Sequence, residues 1–425
     1  MGRLTALLLV AFSAAEGQNS REIRLQAFDM VWRTIKDHHY DPTFGGVDWD
    51  AVRRQYEPRI EQTKTDSELH GVLDRMIGEL KLSHFRILAA DAILDNVNAE
   101  PWLGGIGADV RMIDGEAVIT RLDSGSPALD AGLRTGFVIR KIDGKTVAET
   151  VARVARTGES QPRQRLYAAR LIRHQLDGES GTKVRVEFLD GSDGVRQAEI
   201  GRRSKTGELS PRFGHLPPQY TEFAAERLAG GIGYIRFNVF MISLMDRLRQ
   251  GIRAMHDAPG LLFDIRGNPG GVAAMTGGIA GMLMSREASL GVMAMRSGHI
   301  NIPVFPQPGS YAGPVVILTD EGSASSSEIF AAGLQELGRA VVVGERTLGA
   351  ALPSVVVRLP TGAGFQYALA DFKTPKGVLI EGRGAMPDQP VKLDRKSLLA
   401  GRDPQLEAAL EQVRKIISST QRSNP

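Results

Sequence analysis

Three consecutive serines, Ser325 to Ser327, lie where an apolar segment changes into an amphipathic one. The run Pro314 to Asp320 before them is typical of a buried strand. The apolar side chains after them have helical spacing and stop at a glycine, at Ile329, Phe330, Leu334, Leu337 and Gly338. A turn between strand and helix exposes side chains and directs backbone N–H groups at a ligand. A hydroxyl in such a turn is a candidate nucleophile for acyl transfer.

The same residues have a second explanation that involves no chemistry. Ser325 and Glu328 form the pattern S-x-x-E, which is a capping box at the start of a helix. The residues alone leave both interpretations open.

The run from Ser323 to Ala350, SASSSEIFAAGLQELGRAVVVGERTLGA, resembles the nucleophile region of the C-terminal processing, or tail-specific, serine peptidases. The resemblance implies that Ser325 is the nucleophile. It also shows a departure, because the residue at the position of that family's lysine base is Ala350. A Ser-Lys dyad therefore does not carry over, and neither Lys373 nor Lys376 matches the family motif.

A serine hydroxyl needs a neighbour that takes its proton, and histidine does this near its own pKa. Of the eight histidines, His84 stands out because it follows a helix-like segment in the pair Ser83-His84, within GELKLSHFRIL. By itself it is also explained as a packed or capping histidine. The order of motifs resembles the tricorn-core branch of the same superfamily, whose site is Ser-His-Ser-Glu. That resemblance implies that His84 is the general base and later the general acid.

The fourth member of that site follows from the segment GVLIEGRGAMPDQPV, which is similar to the E-x-x-G-x-x-PD run of these catalytic domains. The resemblance implies that Glu381, with Ser83, orients and polarises the site, by the logic of a Ser-His-acid triad with one added serine. The ordinary alternative is a solvated loop glutamate.

An oxyanion formed at Ser325 requires backbone N–H donors. Ser326, at the start of the predicted helix, offers one. The other is expected in LLFDIRGNPGG, where a buried strand runs into a glycine-rich turn that resembles the family's D-x-R-x-N-x-GG loop, and it is assigned to Gly270 or Gly271. The turn lacks the Gly-Lys-Ser/Thr of a nucleotide-binding P-loop.

A separate module precedes this core. The run Ser124 to Val147, SGSPALDAGLRTGFVIRKIDGKTV, is similar to the PDZ domains of bacterial proteases. Upstream, WLGGIGADV resembles their carboxylate-binding loop, which implies that the N–H groups of Ile106, Gly107 and Ala108 capture a peptide C-terminus while the peptide adds as a strand. The alternative is a strand whose glycines ease a bend.

Composition restricts the partners. The 425 residues are 42% hydrophobic and 24% charged, which is ordinary for a folded protein, and the formal net charge is only +3 with both signs interleaved. We therefore expect no nucleic-acid partner. Adjacent His38 and His39 would point about 100° apart on a helix, which argues against a shared metal. The resemblance implies no cofactor and no metal, and the expected partners are protein or peptide substrates recognised through their C-termini.

The first residues, MGRLTALLLVAFSAAEGQ, have the form of a secretory signal peptide, because one arginine precedes a short apolar run that ends in small residues. The run is too short to span a bilayer, and no other segment is expected to do so. The absence of cysteine is neutral on this point. We expect the mature protein to be periplasmic or secreted, without a stable membrane span.

The predicted fold is α/β and multidomain. The expected parts are a signal peptide at 1–17, an N-terminal helical cap at 20–95 that carries Ser83-His84, an inserted PDZ domain (a small β-barrel-like sandwich with helices) at 99–203, a crotonase-like α/β peptidase core at 218–418 with parallel strands, and a frayed tail at 419–425.

The predicted function is that of an exported serine endopeptidase, a hydrolase that acts through an acyl-enzyme. The rival interpretation is a non-catalytic, PDZ-containing protein that binds peptides or other ligands after losing its base, and Ala350 is the residue that raises it. The oligomeric state and the natural substrate do not follow from the sequence.

The Ser-His interpretation predicts the effect of restoring the family lysine. Ala350→Lys should not increase peptidase activity, because a second base would compete with His84 for Ser325. The measurement is the rate of peptide cleavage by the variant and by the wild type. A clear gain in rate would contradict the assignment of His84.

Overall fold

The computed structural model describes residues 2–88, 104–156, 159–205, 207–214, 216 and 218–423, with side chains from residue 20 to residue 419. The predicted boundaries at 95 and 99, and Trp102 at the start of the predicted carboxylate-binding loop, lie outside these ranges.

The N-terminal part is a helical unit closed by a small sheet. It contains α1 (Gly2–His38), α2 (Trp49–Glu61) and α3 (Asp66–Gly78). The Asp48 side chain caps α2 by accepting from Ala51 N–H, and the Thr65 side chain caps α3 by accepting from Glu68 N–H. One antiparallel sheet, ordered β1-β20-β19, joins this unit to the distant C-terminal part, and it consists of β1 (Arg86–Leu88), β19 (Ser354–Arg358) and β20 (Gly364–Ala368).

The middle module is an antiparallel sheet with helices against it. The sheet order is β3-β4-β5-β7-β8, with β6 paired to β5 and β2 paired to β9, so that β3 lies at an edge. The strands are β2 (Gly104–Gly105), β3 (Ala108–Ile113), β4 (Glu116–Leu122), β5 (Val138–Ile142), β6 (Lys145–Thr146), β7 (Lys183–Leu189), β8 (Val195–Gly201) and β9 (Arg203–Ser204). The helices are α4 (Pro127–Asp130), α5 (Val147–Ala155) and α6 (Gln161–Leu176).

The C-terminal part has a mixed sheet at its centre, ordered β12-β13-β14-β17-β18-β22, and all pairs except β12-β13 are parallel. Its strands are β12 (Phe223–Arg227), β13 (Gly233–Phe237), β14 (Leu261–Asp264), β17 (Val315–Thr319), β18 (Val341–Gly344) and β22 (Gln389–Pro390), and the flanking strands are β10 (Glu208–Leu209), β11 (Tyr220–Thr221), β15 (Ala288–Met295), β16 (Gly298–Val304) and β21 (Ala370–Lys373). The expectation of an α/β fold with parallel pairing is confirmed.

Helices cover both faces of this sheet because neighbouring residues of each strand point to opposite sides. Phe263 and Ile317 pack with α7 (Met245–Ala254), α8 (Ala274–Gly281) and α9 (Ser326–Glu336). Leu262 and Val316 pack with α11 (Pro404–Ser423), which follows the short α10 (Arg395–Leu399).

The last helix continues beyond its predicted end. We expected fraying from residue 419, whereas α11 is helical to Ser423. No glycine or proline interrupts the chain before Pro425. The hydroxyls of Ser418 and Ser419 also donate to the carbonyls of Arg414 and Ile416, which satisfies both within the helix.

The start of α9 encloses a carboxylate. Glu328 is fully buried and accepts four hydrogen bonds, from Thr347 Oγ1 at 2.5 Å, Gly349 N–H at 2.7 Å, and the N–H groups of Ala350 and Ser325 at 2.9 Å. Burial raises the pKa of Glu328 to about 7, and the four donors oppose that rise. The pattern S-x-x-E predicts a capping box, in which the glutamate accepts from the N–H of the first serine. The hydrogen bond from Ser325 N–H to Glu328 is this contact.

This carboxylate predicts a pH dependence of stability. Because the pKa of Glu328 is higher in the folded chain than in an unfolded one, its contribution is fully present below about pH 4.5 and is lost as the pH rises to about 7. We expect the free energy of unfolding of the wild type, relative to Glu328→Gln, to fall by about 3 kcal/mol over this range.

The measurement is urea unfolding of both proteins at several pH values, followed by circular dichroism. The subtraction removes titrations that the two proteins share. A difference that does not change with pH would show that Glu328 does not titrate in this range.

Candidate active site

The backbone of Ser325 has φ 53° and ψ −117°, a conformation that residues other than glycine rarely adopt. Such a conformation costs of the order of 1–3 kcal/mol and persists only where its surroundings enforce it. Here the Ser325 N–H donates to Ala350 O and to Glu328 Oε2, both at 2.9 Å, and its carbonyl accepts from Glu328 N–H at 2.8 Å and Ile329 N–H at 3.0 Å. The turn is therefore held on both sides of the serine.

Ser83, His84 and Glu381 form one hydrogen-bonded chain. Ser83 Oγ lies 2.8 Å from Glu381 Oε2 and 2.7 Å from His84 Nδ1, and Ser83 N–H donates to Glu381 Oε1 at 2.7 Å. A carboxylate only accepts, so the Ser83 hydroxyl donates to Glu381 and its oxygen accepts from His84 Nδ1–H. This tautomer leaves Nε2 as the ring nitrogen with the lone pair, which is the state that a general base requires.

The sheet between the N-terminal and C-terminal parts positions this chain of groups. Immediately after His84, β1 pairs with β20 in the register Arg86 to Gln366, and Ile87 N–H donates to Asp74 Oδ1 of α3 at 2.8 Å. His84 itself has φ 60°, so the backbone turns sharply between α3 and β1. The pair Ser83-His84 is thus anchored from two sides.

One short loop contacts both Ser325 and Glu381. The Ala350 carbonyl accepts from Ser325 N–H at 2.9 Å, and the next residue, Ala351, donates its N–H to Glu381 Oε2 at 3.2 Å. Ala350 is buried, and its carbonyl contacts Ser325. Lys373 and Lys376 are exposed, and Lys373 faces Asp371 at 3.6 Å, so neither is a desolvated lysine base.

The predicted oxyanion donors lie next to Ser325. A Cβ on Gly270 would stand 2.7 Å from both Ser325 Cβ and Ser326 N, which is why only glycine fits there. The Gly270 N–H already donates to Asn268 Oδ1 at 2.9 Å, whereas within the described residues the N–H groups of Gly271 and Ser326 have no acceptor. Gly271 is therefore the better of the two glycine candidates.

The predicted peptide-binding residues lie elsewhere, at the start of β3. The carbonyl of Ile106 accepts from Ala128 N–H and that of Gly107 from Asp123 N–H, both at 3.0 Å, and Ala108 opens the edge strand. Gly107 has φ 70°, and a Cβ there would meet Ser126 Cβ at 2.5 Å.

Sequence reasoning missed two neighbours of Glu381. Arg163 of α6 has a 12% exposed side chain and places Nη2 3.2 Å from Glu381 Oε1, and Leu166 of the same helix packs against Ala324 and Ala350. The other neighbour is Tyr40, whose pKa is raised by burial first and then by the charge of Glu381. The sequence of α6 is rich in arginine, but it does not show which side of this helix faces the core.

Neither a metal-ligand cluster nor a membrane-spanning helix is found in the part of the chain that the structure describes. No group of three histidine, cysteine, aspartate or glutamate side chains there has the arrangement of a metal site. None of the described helices is both long and apolar enough to cross a membrane.

Comparison with known proteins places these residues in a family context. Residues 231–391 match the model of peptidase family S41, and residues 20–78 match the model of the tricorn protease C1 domain. A carboxyl-terminal-processing protease of Picosynechococcus is 28% identical over 88% of this chain and 83% of its own length.

A tricorn protease homolog of Streptomyces coelicolor is 26% identical over 94% of this chain, which spans 33% of that relative's length. Among solved structures, a photosystem II D1 C-terminal processing protease aligns with 93% of this chain and 97% of its own, with a TM-score of 0.59 and 24% identity, which shows a shared fold. Residues 231–391 are therefore similar to family S41 peptidases, and the chain is a serine-type peptidase, which confirms the predicted enzyme class.

Proposed function

We propose that this chain is an exported endopeptidase that hydrolyses peptide bonds of protein or peptide substrates through an acyl-enzyme on Ser325. The observation that carries the proposal is the hydrogen-bonded chain Glu381–Ser83–His84, which the loop at Ala350 and Ala351 connects to Ser325.

The first half-reaction forms the acyl-enzyme. Ser325 Oγ attacks the substrate carbonyl while His84 Nε2 takes the serine proton, and Glu381, through Ser83, stabilises the imidazolium that results. His84 then gives this proton to the amine as the C–N bond breaks. Four donors surround Glu381, from Ser83 N–H and Oγ, Ala351 N–H and Arg163, so its negative charge is compensated while it orients the serine.

The N–H groups of Gly271 and Ser326 stabilise the oxyanion. Gly271 belongs to the glycine-rich turn, and Ser326 is the first residue of α9. Ser326 Oγ donates to Gly271 O at 3.0 Å, which ties these two segments together. Removal of one such donor costs about 2.7–4 kcal/mol of transition-state stabilisation. In the second half-reaction water attacks the acyl group, His84 takes a water proton, and that proton returns to Ser325.

Recognition of substrate C-termini is assigned to the middle module as a PDZ domain. Its edge strand β3 follows the loop at Ile106 to Ala108, which is the arrangement that strand addition with carboxylate capture requires. Relatives of this chain bear the name carboxyl-terminal-processing protease, which agrees with this assignment. Export rests on the signal-like segment 1–17.

An active-site label tests the proposal. A fluorophosphonate probe should modify Ser325, as mapped by mass spectrometry, and His84→Ala should slow the labelling by about 10²- to 10⁴-fold because the base is lost. Ser325→Ala should abolish it. His256→Ala, which changes an exposed histidine outside the site, is the matched control and should label like the wild type.

The same samples separate catalysis from binding alone. Label on another serine, or labelling that does not depend on His84, would overturn the assigned roles. C-terminal peptides that bind but are never cut, in a protein that takes no label with or without them, would favour the non-catalytic binding protein.

A further inference from the structure

A cavity of about 320 Å³ lies between the middle module and the C-terminal core. Its walls come from β3, from α6 and from core residues that include Arg236 and Asp320. This volume falls within the range of ligand pockets in proteins. Ser83, His84, Ser325 and Glu381 do not line the cavity, whereas Leu166, which packs against Ala324 and Ala350, does.

The backbone of the cavity wall suits an extended peptide. β3 pairs with β4 along one edge only, and α6 packs against β3. An edge strand beside a helix accepts a peptide as an additional strand, with main-chain hydrogen bonds to the strand and side chains in pockets against the helix.

Most of the cations in the cavity already have carboxylate partners. Arg173 lies 3.2 Å and Arg236 3.4 Å from the carboxylate of Asp109. Arg111 pairs with Glu345, and its Nη1 lies 3.4 Å from Asp320 Oδ2. Such compensated charges attract a further anion only weakly.

Arg170 differs from these cations. It stands four residues after Leu166 and three before Arg173, so all three occupy one face of α6 that borders the cavity. Within the described residues Arg170 has no ion-pair or hydrogen-bond partner, and its side chain is accessible. Arg170 therefore offers the cavity N–H donors that no carboxylate within the described residues uses.

We propose that this cavity selects substrate C-terminal segments that carry an acidic side chain, whose carboxylate binds Arg170. The proposal rests on the proposed function and specifies its substrate class. The terminal carboxylate lies at Ile106 to Ala108, and the peptide runs along β3 at about 3.3 Å per residue. The acidic side chain then falls one to four residues before the C-terminus, opposite Asp109 to Met112.

The experiment measures peptide binding without turnover. Ser325→Ala protein is titrated with fluorescein-labelled decapeptides that differ only in Glu, Gln or Lys at the second to fifth position from the C-terminus, and anisotropy gives each Kd. At one of these positions Glu should bind about tenfold more tightly than Gln, because a charge-assisted hydrogen bond replaces a neutral one.

Variants on two neighbouring helices supply the controls. In the same background, Arg170→Gln should remove the preference for Glu over Gln, and Arg170→Glu should reverse it in favour of Lys. Arg153→Gln changes an exposed arginine of α5 that does not line the cavity, and it should keep the preference. Circular dichroism of each variant verifies that it is folded.

The outcomes distinguish the two proposals. Equal binding of Glu and Gln peptides at all four positions, or an unchanged preference in Arg170→Gln, would overturn the acidic selectivity while leaving the peptidase proposal intact. Failure of every peptide to bind would overturn both the selectivity and the assignment of the module to C-terminal recognition. Failure of wild-type Ser325 to label with fluorophosphonate bears on the catalytic proposal alone.

Discussion

The carboxylate of Glu381 is the interaction on which the rest of the site depends. It accepts from both the N–H and the hydroxyl of Ser83, which lies 298 residues earlier in the chain. The same carboxylate accepts from Ala351 N–H, one residue from the Ala350 carbonyl that holds Ser325. Without it, the backbone of Ser83 and His84 would still be anchored by β1, but the Ser83 hydroxyl would lose the acceptor that orients it toward His84.

Burying a carboxylate is costly unless donors surround it, and this site contains two buried carboxylates. The Glu381 side chain is 5% exposed. It forms an ion pair with Arg163 and accepts three hydrogen bonds from Ser83 and Ala351. Glu328 receives four neutral donors and no cation, and its pKa is raised accordingly. One site thus contains a charge-paired carboxylate that orients the base and a second one that holds the nucleophile turn.

The local parts of this site were accessible from the sequence because each depends on a short pattern. The strand, turn and helix around Ser325 follow from apolar spacing, and Ser83-His84 is a contiguous pair. Glu381 was predicted from the resemblance of its segment to the E-x-x-G-x-x-PD run, but no local pattern reports its contact with Ser83 across 298 residues. The pairing of β1 with β20 is equally remote, so the sequence did not show what anchors His84.

The packing of the middle module against the core could not be predicted from the sequence, because it depends on contacts between segments that are distant in the chain. Periodicity shows that α6 is an arginine-rich helix, but which arginine meets Glu381 and which lines a cavity depends on how the module packs against the core. Similarly, a glycine-rich turn offers several N–H groups, and only the hydrogen bond from Gly270 to Asn268 shows which one is already used.

The most direct test of the central claim is a crystal structure of the protein with a phosphonate bound covalently to Ser325. The account predicts that the phosphonyl oxygen accepts from Gly271 and Ser326 N–H, that His84 Nε2 faces the leaving-group side, and that Ser83 still bridges His84 to Glu381. An adduct whose oxygen points away from both N–H groups, or a His84 ring separated from Ser83, would contradict it.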